Sequence, residues 1–452
     1  MAQMSDRRQL TDVPTWVVAI FLLFAGSRLL ANGIYGNGTG ARSMSMGGTD
    51  VAWAESPLEA MGDNPAGLVF LTTREFDLGG VVVVPEGHFS KPSASSSSDL
   101  NDSPGGLPDA ALGVPLEQSP IAFGLSFIPD SMLLADWNYL DPPGGLGGIS
   151  YGQQTDKSEI IALRTALGMG IRVTSQLSLG LNLGLIYNQN ELVTPYVFQN
   201  LQPPADAPYN GAKTLLNLNT SGFGWNAQIG LLYRPLTNLQ FGLSYKSQYT
   251  VHSTGDASGD PYAQFPPTPP GPLAFHYDAE VDNTFPQQVS VGASWKFHPQ
   301  WRLAAQVDWI DWAGAFDTLP VILKNGNNPT VNSVLGSSFQ DNIPLNWKSE
   351  FVYRVGLEYA MTQNLYLRAG YSYGHSPVPD STLTPMTAAI MEHTVTAGMG
   401  YHWRNWQFDL AYQYDLPAEQ NVGTSGLRSG EYSNSSTEVS LHWIALTTSI
   451  HF

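Results

Sequence analysis

From Leu177 to Leu185, five leucines alternate without a break with Ser178, Gly180, Asn182 and Gly184. A strand sends successive side chains to opposite faces, so this spacing predicts a strand with one apolar face and one small or polar face. The pattern recurs. Phe223, Trp225, Ala227, Ile229 and Leu231 oppose Gly224, Asn226, Gln228 and Gly230, and Leu239, Phe241, Leu243 and Tyr245 oppose Gln240, Gly242, Ser244 and Lys246. Leu365, Leu367, Ala369, Tyr371 and Tyr373 oppose Tyr366, Arg368, Gly370 and Ser372, while Phe408, Leu410, Tyr412 and Tyr414 oppose Gln407, Asp409, Ala411 and Gln413. Two architectures place apolar residues on alternate positions: a soluble β-sandwich and a transmembrane β-barrel. The polar row decides between them. Its Gln, Asn and Arg side chains would each need a partner in a dry core, whereas a hydrated or partly plugged lumen accepts them, and apolar rows ending in aromatics are the mark of a barrel wall facing lipid.

The connections alternate in length. Tight ones fall at Val173–Gln176, Pro235–Asn238, His298–Gln300, Met361–Asn364 and His402–Asn405; long ones are expected at about 85–108, 129–157, 190–220, 252–284, 317–348, 375–392 and 416–437. Short turns at one rim and long loops at the other are the outer-membrane arrangement, and the runs between them number about fourteen, an even count as such barrels require. The first strand is expected near Phe76 to Val84 and the last from Glu438 to Phe452, which puts Ile444, Leu446, Ile450 and Phe452 on one face. The fold class is therefore all-β: a transmembrane antiparallel barrel of about fourteen strands, spanning 73–452. A chain of 452 residues would otherwise suggest several domains, but no linker divides the repeated hairpins.

Two segments precede the barrel. In residues 1–31, Arg7 and Arg8 lead into the apolar run Trp16 to Gly26, followed by small residues up to Ala31. Eleven residues are too few for a spanning helix, which needs ~20, so the segment reads as a secretory signal peptide cleaved near Ala31. Its loss moves the net charge from -18 to -19, because it holds Arg7, Arg8 and Arg28 against Asp6 and Asp12. Residues 32–72 do not alternate. Thr49 to Gly62 favours short helices, and a compact segment ahead of a barrel is expected to lie inside it as a hatch. Gly38-x-Gly40 follows no strand and completes no dinucleotide-binding fingerprint.

Composition narrows the chemistry. Charged residues are 13% of the chain against a typical ~25%, which suits a wall immersed in lipid. The acidic balance argues against nucleic acid as a partner. With no cysteine, disulfides and thiolate metal sites are excluded, and no His-Glu-x-x-His is present to suggest a metalloenzyme. No cofactor or metal is expected.

Several motifs occur in a specific order: Gly38-Thr39-Gly40-Ala41-Arg42, Met46-Gly47-Gly48, Asn64-Pro65-Ala66-Gly67-Leu68, Gly222-Phe223-Gly224-Trp225-Asn226-Ala227 opening a strand, Pro299-Gln300-Trp301, Tyr353-Arg354-Val355-Gly356-Leu357 and Ser376-Pro377-Val378-Pro379. This order resembles the FadL/TodX family of outer-membrane transporters for hydrophobic compounds, with Asn64, Pro65 and Ala66 as the hatch motif. The resemblance implies a bacterial outer-membrane channel for passive uptake of long-chain fatty acids or aromatic and aliphatic hydrocarbons. The ligand would be captured between extracellular loops, enter an internal apolar pocket, displace the mature N-terminus and leave sideways through a strand kink. A general diffusion porin for small polar solutes is the competing function.

On that reading Met132, Leu133, Leu134, Trp137, Val197 and Phe198 are the expected capture residues in the loops, and Ile34 and Tyr35 the resting occupants of the pocket. Asn188-Gln189-Asn190-Glu191 stands where fatty-acid members carry basic residues; Lys348 and Arg354 are then the expected partners of a carboxylate. Lumenal Arg164, Arg354 and Arg368 are alternatively expected to pair with Asp308, Glu358 or Asp409. Pro129 either interrupts the third strand or begins a loop. Expected partners are an apolar small molecule, outer-membrane lipid and, through Phe452, the barrel-assembly machinery, with the chain acting as a monomer.

Overall fold

The computed structural model describes residues 34–141, 152–197, 213–260, 273–427 and 430–452; the leader and Phe198 lie outside them. Fourteen wall strands close into one antiparallel barrel. They are β1 (Glu75–Lys91), β2 (Gly105–Pro115), β3 (Ile121–Asp141), β4 (Gly152–Arg172), β5 (Leu177–Val197), β6 (Lys213–Leu236), β7 (Leu239–Lys246 and Tyr249–Gly259) and β8 (Phe275–Phe285 and Gln288–His298). They continue with β9 (Trp301–Ile310 and Thr318–Lys324), β10 (Phe339–Pro344 and Glu350–Ala360), β11 (Leu365–Gly374), β12 (His393–Trp403), β13 (Trp406–Val422) and β14 (Ser435–His451). β14 pairs with β1 from Glu75↔His451 to Ser90↔Ser436, which closes the ring and, among the described residues, leaves no wall-length free edge. Among the described residues no helix is long and apolar enough to cross a membrane, and the crossing is made by strands.

The alternation read from sequence is the wall's own. Leu181 and Leu183 are 40% and 56% exposed on the outer face, whereas Asn182 between them is fully buried. The strands are longer than expected, because beyond the lipid band the polarity reverses. On the second piece of β7, Thr250, His252, Thr254 and Asp256 face out, while Tyr249, Val251 and Ala257 are buried. On β8 the outward residues include Asp278 and Asp282, and Phe275, Tyr277, Ala279 and Val281 turn inward. A search for an apolar lipid-facing row stops where that row becomes polar. Much of what reads as extracellular loop is thus barrel wall with an apolar interior.

The segment from Ile34 to Thr72 fills the lumen. It contains α1 (Gly40–Ser45), α2 (Pro57–Gly62) and a 3₁₀ turn (Pro65–Phe70). α2 starts as its sequence dictates: Ser56 caps it, Pro57 takes the first helical position, and Glu59 returns the bond to the cap, the reciprocal capping box. Inward-facing polar side chains hold the segment from most sides of the wall. Gln306 accepts from Val51 N at 2.9 Å, Thr447 from Ala41 N at 2.9 Å and Asp77 from Leu58 N at 3.0 Å, while Asn182 donates to Met61 O at 3.0 Å. Inward glycines let the two backbones touch: a Cβ at Gly180 would lie 2.1 Å from Ala66 N, and one at Gly242 would lie 1.9 Å from Val51 O. The small residues of the lumen row are thus the other half of the segment's packing.

Candidate functional site

The hatch motif works as a latch. Asn64 is fully buried; its Nδ2 donates to Val51 O at 2.6 Å within the segment and to Leu231 O at 3.2 Å on the wall, and its Oδ1 accepts from Ala66 N. Asn fits because one side chain must supply both donors and an acceptor, and Pro65 opens the turn that follows.

The charged groups of the lumen are mostly committed. Arg354 Nε donates to Asp308 at 2.6 Å and Nη1 reaches Asn37 and Gly47 O, so this side chain ties the segment to the wall. Arg368 bonds Glu358 at 2.8 Å and Asp409 at 2.6 Å. Arg164 departs from the expected ion pairing: it donates to Asn226, Asn182 and Met61 O, all neutral acceptors. Lys348 is exposed in the break between the two pieces of β10 and does not line the cavities described below.

The wall is irregular at two places. In β3 the register with β4 slips between Pro129 and Ser131, so Asp130 is an extra residue and the inward phase shifts from even to odd positions. Pro129 therefore begins no loop; it stands where the ladder is interrupted, just before a bulge inside a strand. β2 and β3 are laddered only from Pro115↔Ala122 to Ala110↔Phe127, although β2 remains paired to β1 as far as Gly105. Above Phe127 the two strands part, and the gap closes again only at the Leu100–Trp137 bridge. Into this gap comes the N-terminal chain, where Ile34 O accepts from Met132 N at 3.2 Å. Leu134 covers the opening from the β3 side, since a Cβ at Gly105 would lie 2.3 Å from its Cδ1.

The second irregularity is a common break across β7, β8, β9 and β10. α3 (Trp312–Ala315) turns inward there. Trp312 packs 5.2 Å from Tyr35, 5.2 Å from Phe316 and 5.2 Å from Trp347, forming an aromatic floor. Tyr35 is clamped between this floor and the Lys246 ammonium, 4.8 Å from its ring, which itself pairs with the bulged Asp130 at 2.5 Å. Burial, and secondarily the Asp130 charge, push the Tyr35 phenol well above its usual range, so it stays neutral.

Tyr35 also borders a cavity of about 70 Å³, to which Trp312, Phe316 and Trp347 do not contribute. Its lining brings together Ile34, Tyr35, Met132, Leu133, Leu134 and Trp137 with residues far away in sequence: Ala388, Ala389 and Met391 from the 375–392 connection, and Val439, Leu441 and Trp443 from β14. The expected capture residues of the 129–157 stretch are on β3, not on a loop, and with Ile34 and Tyr35 they share one chamber. Val197 ends β5, is buried and does not line that chamber. Sequence reasoning missed Trp312, Phe316 and Trp347. Their closeness at 312, 316 and 347 in a Pro- and Gly-bearing stretch is a signal, yet without the strand breaks nothing turns them inward.

The chamber's charge is as informative as its shape. Among the described residues its lining contains no Lys or Arg and one carboxylate, Asp415, which accepts from Trp443 Nε1 at 2.6 Å and Gln413 Nε2 at 3.0 Å. Asn188 and Asn190 lie elsewhere, in a buried amide cluster where Asn283 donates to both at 2.8 and 2.9 Å and Asn190 reaches Thr220 at 3.1 Å.

Comparison with known proteins agrees with this architecture. The P. putida toluene transporter TodX superposes with a TM-score of 0.74 at 21% identity over 92% of this chain and 99% of that one. A Pseudomonas aeruginosa FadL homologue gives 0.73 at 15% identity over 93% and 100%. The long-chain fatty acid transport protein of Escherichia coli K12 is 23% identical over 344 residues, 70% of this chain and 72% of that protein. Residues 22–452 match the family described as outer membrane protein transport protein (OMPP1/FadL/TodX), and the chain belongs to this family of the bacterial outer membrane.

Proposed function

We propose that the protein is a passive channel for uncharged apolar compounds, aromatic or aliphatic hydrocarbons, rather than for long-chain carboxylates. The observation that carries this is the chamber lining: mostly apolar side chains with Thr394 and Gln413 and, among the described residues, no Lys or Arg and a single carboxylate, Asp415. An apolar solute gains ~25 cal/mol per Å² on leaving water. A carboxylate entering the same space would lose its hydration beside a like charge and find no partner.

The chamber's size supports displacement of the N-terminus. A dry apolar cavity of ~150 Å³ holds one benzene ring, and the chamber offers about 70 Å³ while Ile34 and Tyr35 occupy it. A ligand that displaces them also breaks the Ile34–Met132 bond and so frees the parted β2–β3 edge, a sideways exit into lipid. The plug-like packing of residues 34–72 against the lumen row disfavours a general diffusion porin. Phe452, 59% exposed at the end of β14, is offered to the assembly machinery, and the enclosure of the whole path by one chain supports a working monomer.

The test is uptake of labelled toluene and labelled octanoate by cells whose outer membrane carries this protein as its added channel. Faster toluene entry with octanoate at background supports the reading; the reverse order refutes it.

A further inference from the structure

A second internal space lies at the short-turn, periplasmic end. Beneath the plug a cavity of about 870 Å³ opens outward, and one of about 350 Å³ shares Phe70 and Arg234 with it. Together they are lined by Arg42, Arg172, Arg234, Lys296, Arg302 and Arg368, against Glu55, Glu75 and Glu358. The whole chain has 20 Lys and Arg against 38 Asp and Glu, so nine ionisable groups drawn in that ratio would include about three basic ones, and this vestibule has twice as many.

Two of the cations are neutralised locally. Arg42 pairs with Glu59 at 3.1 Å and Glu55 at 3.5 Å, and Arg368 with Glu358 and Asp409. The other four have no carboxylate within ion-pair distance among the described residues. Arg172 donates to Val69 O at 2.6 Å; Arg234 donates to Gln240 at 2.9 Å and lies 4.4 Å over the Phe70 ring. Arg302 rests 3.2 Å from the centre of the Trp53 ring, and its buried Nε has no hydrogen-bond partner. Lys296 is exposed at the mouth. Arg42 lies 4.2 Å from the same Trp53 indole, and a guanidinium held against a ring with a donor left unused is preorganised for an anion.

We propose that this vestibule binds a small carboxylate with an aromatic body, its carboxylate bonded to Arg302 and drawn in by Arg234 and Lys296, its ring against Phe70. The site is separate from the upper chamber and does not depend on what that chamber carries. A focused positive field at the exit of an otherwise acidic protein concentrates such anions at the periplasmic face.

The experiment is equilibrium dialysis of radiolabelled benzoate against the full-length protein in a non-ionic detergent at low ionic strength, with toluene as the neutral competitor of nearly the same shape. The expected result is saturable binding that weakens with salt, falls at least about tenfold in Arg302→Gln and resists toluene. Arg234→Gln and Lys296→Gln, the latter on an exposed side chain, are expected to weaken binding at least about threefold, and they decide the matter where Arg302→Gln does not fold. Absence of saturable benzoate binding, displacement by toluene, or wild-type affinity in these variants overturns the proposal.

Discussion

Replacing Asp415 by Asn tests the electrostatic basis of ligand choice with almost no change of shape. Asp415 lines the upper chamber and accepts bonds from Gln413 and Trp443, and an asparagine oxygen retains one of those roles. A ligand carboxylate confined to the chamber would lie roughly 6 Å from it. At an effective dielectric of about 20, two like charges at that distance repel by about 2–3 kcal/mol. Removing the charge is therefore expected to strengthen carboxylate binding by roughly 30- to 150-fold, with no comparable gain for a neutral ligand. The assay is displacement of a neutral fluorescent hydrocarbon from purified protein at pH 8, with octane and octanoate as competitors. Wild type is expected to favour octane strongly, and Asp415→Asn to narrow the ratio by that factor. An unchanged ratio, or wild-type affinity for octanoate equal to that for octane, refutes the reasoning.

Other substitutions probe the plug and the wall. Asn64→Ala removes the bonds to Val51 O and Leu231 O; at about 1 kcal/mol each, plus the cost of the orphaned carbonyls, the plug is expected to open often enough to raise single-channel conductance in planar bilayers, and unchanged conductance would count against a plugging role. A lipid-soluble maleimide is expected to label Leu181→Cys and not Asn182→Cys, whereas deletion of residues 32–71 is expected to open Asn182→Cys to a membrane-impermeant reagent; the opposite pattern would show the register to be wrong. Asn190→Arg inserts a cation into a neutral buried amide cluster, so a lowered melting temperature by circular dichroism is expected, and a stable variant with new carboxylate affinity would show that the pocket extends to this cluster.

The barrel was legible because lipid imposes one rule on every strand, apolar out, and that rule is written at period two in Leu177–Leu185 and its counterparts. Where the rule reverses, as at Thr250–Ser258, the sequence still alternates but its meaning changes with height above the membrane. That is why the strand ends read as loops in the sequence. Half of the chamber was legible for a different reason: Ile34, Tyr35 and the 132–137 run are local in sequence. The other half comes from the 375–392 connection and from β14, joined to it only by closure of the ring. The latch at Asn64 was visible as a motif, but its donors and acceptor have meaning only once Leu231 and Val51 face it.

The displacement of the N-terminus by ligand is most directly tested by fixing it in place. The chain has no cysteine, so Ile34→Cys together with Met132→Cys can form one disulfide, across the site where the two backbones already share a 3.2 Å bond. With the cross-link confirmed by mass spectrometry, labelled toluene uptake into proteoliposomes is to be measured before and after reduction. Uptake at background when oxidised and restored by reductant is the expected result; equal uptake in the two states would contradict a path that runs through the chamber held by Ile34 and Tyr35.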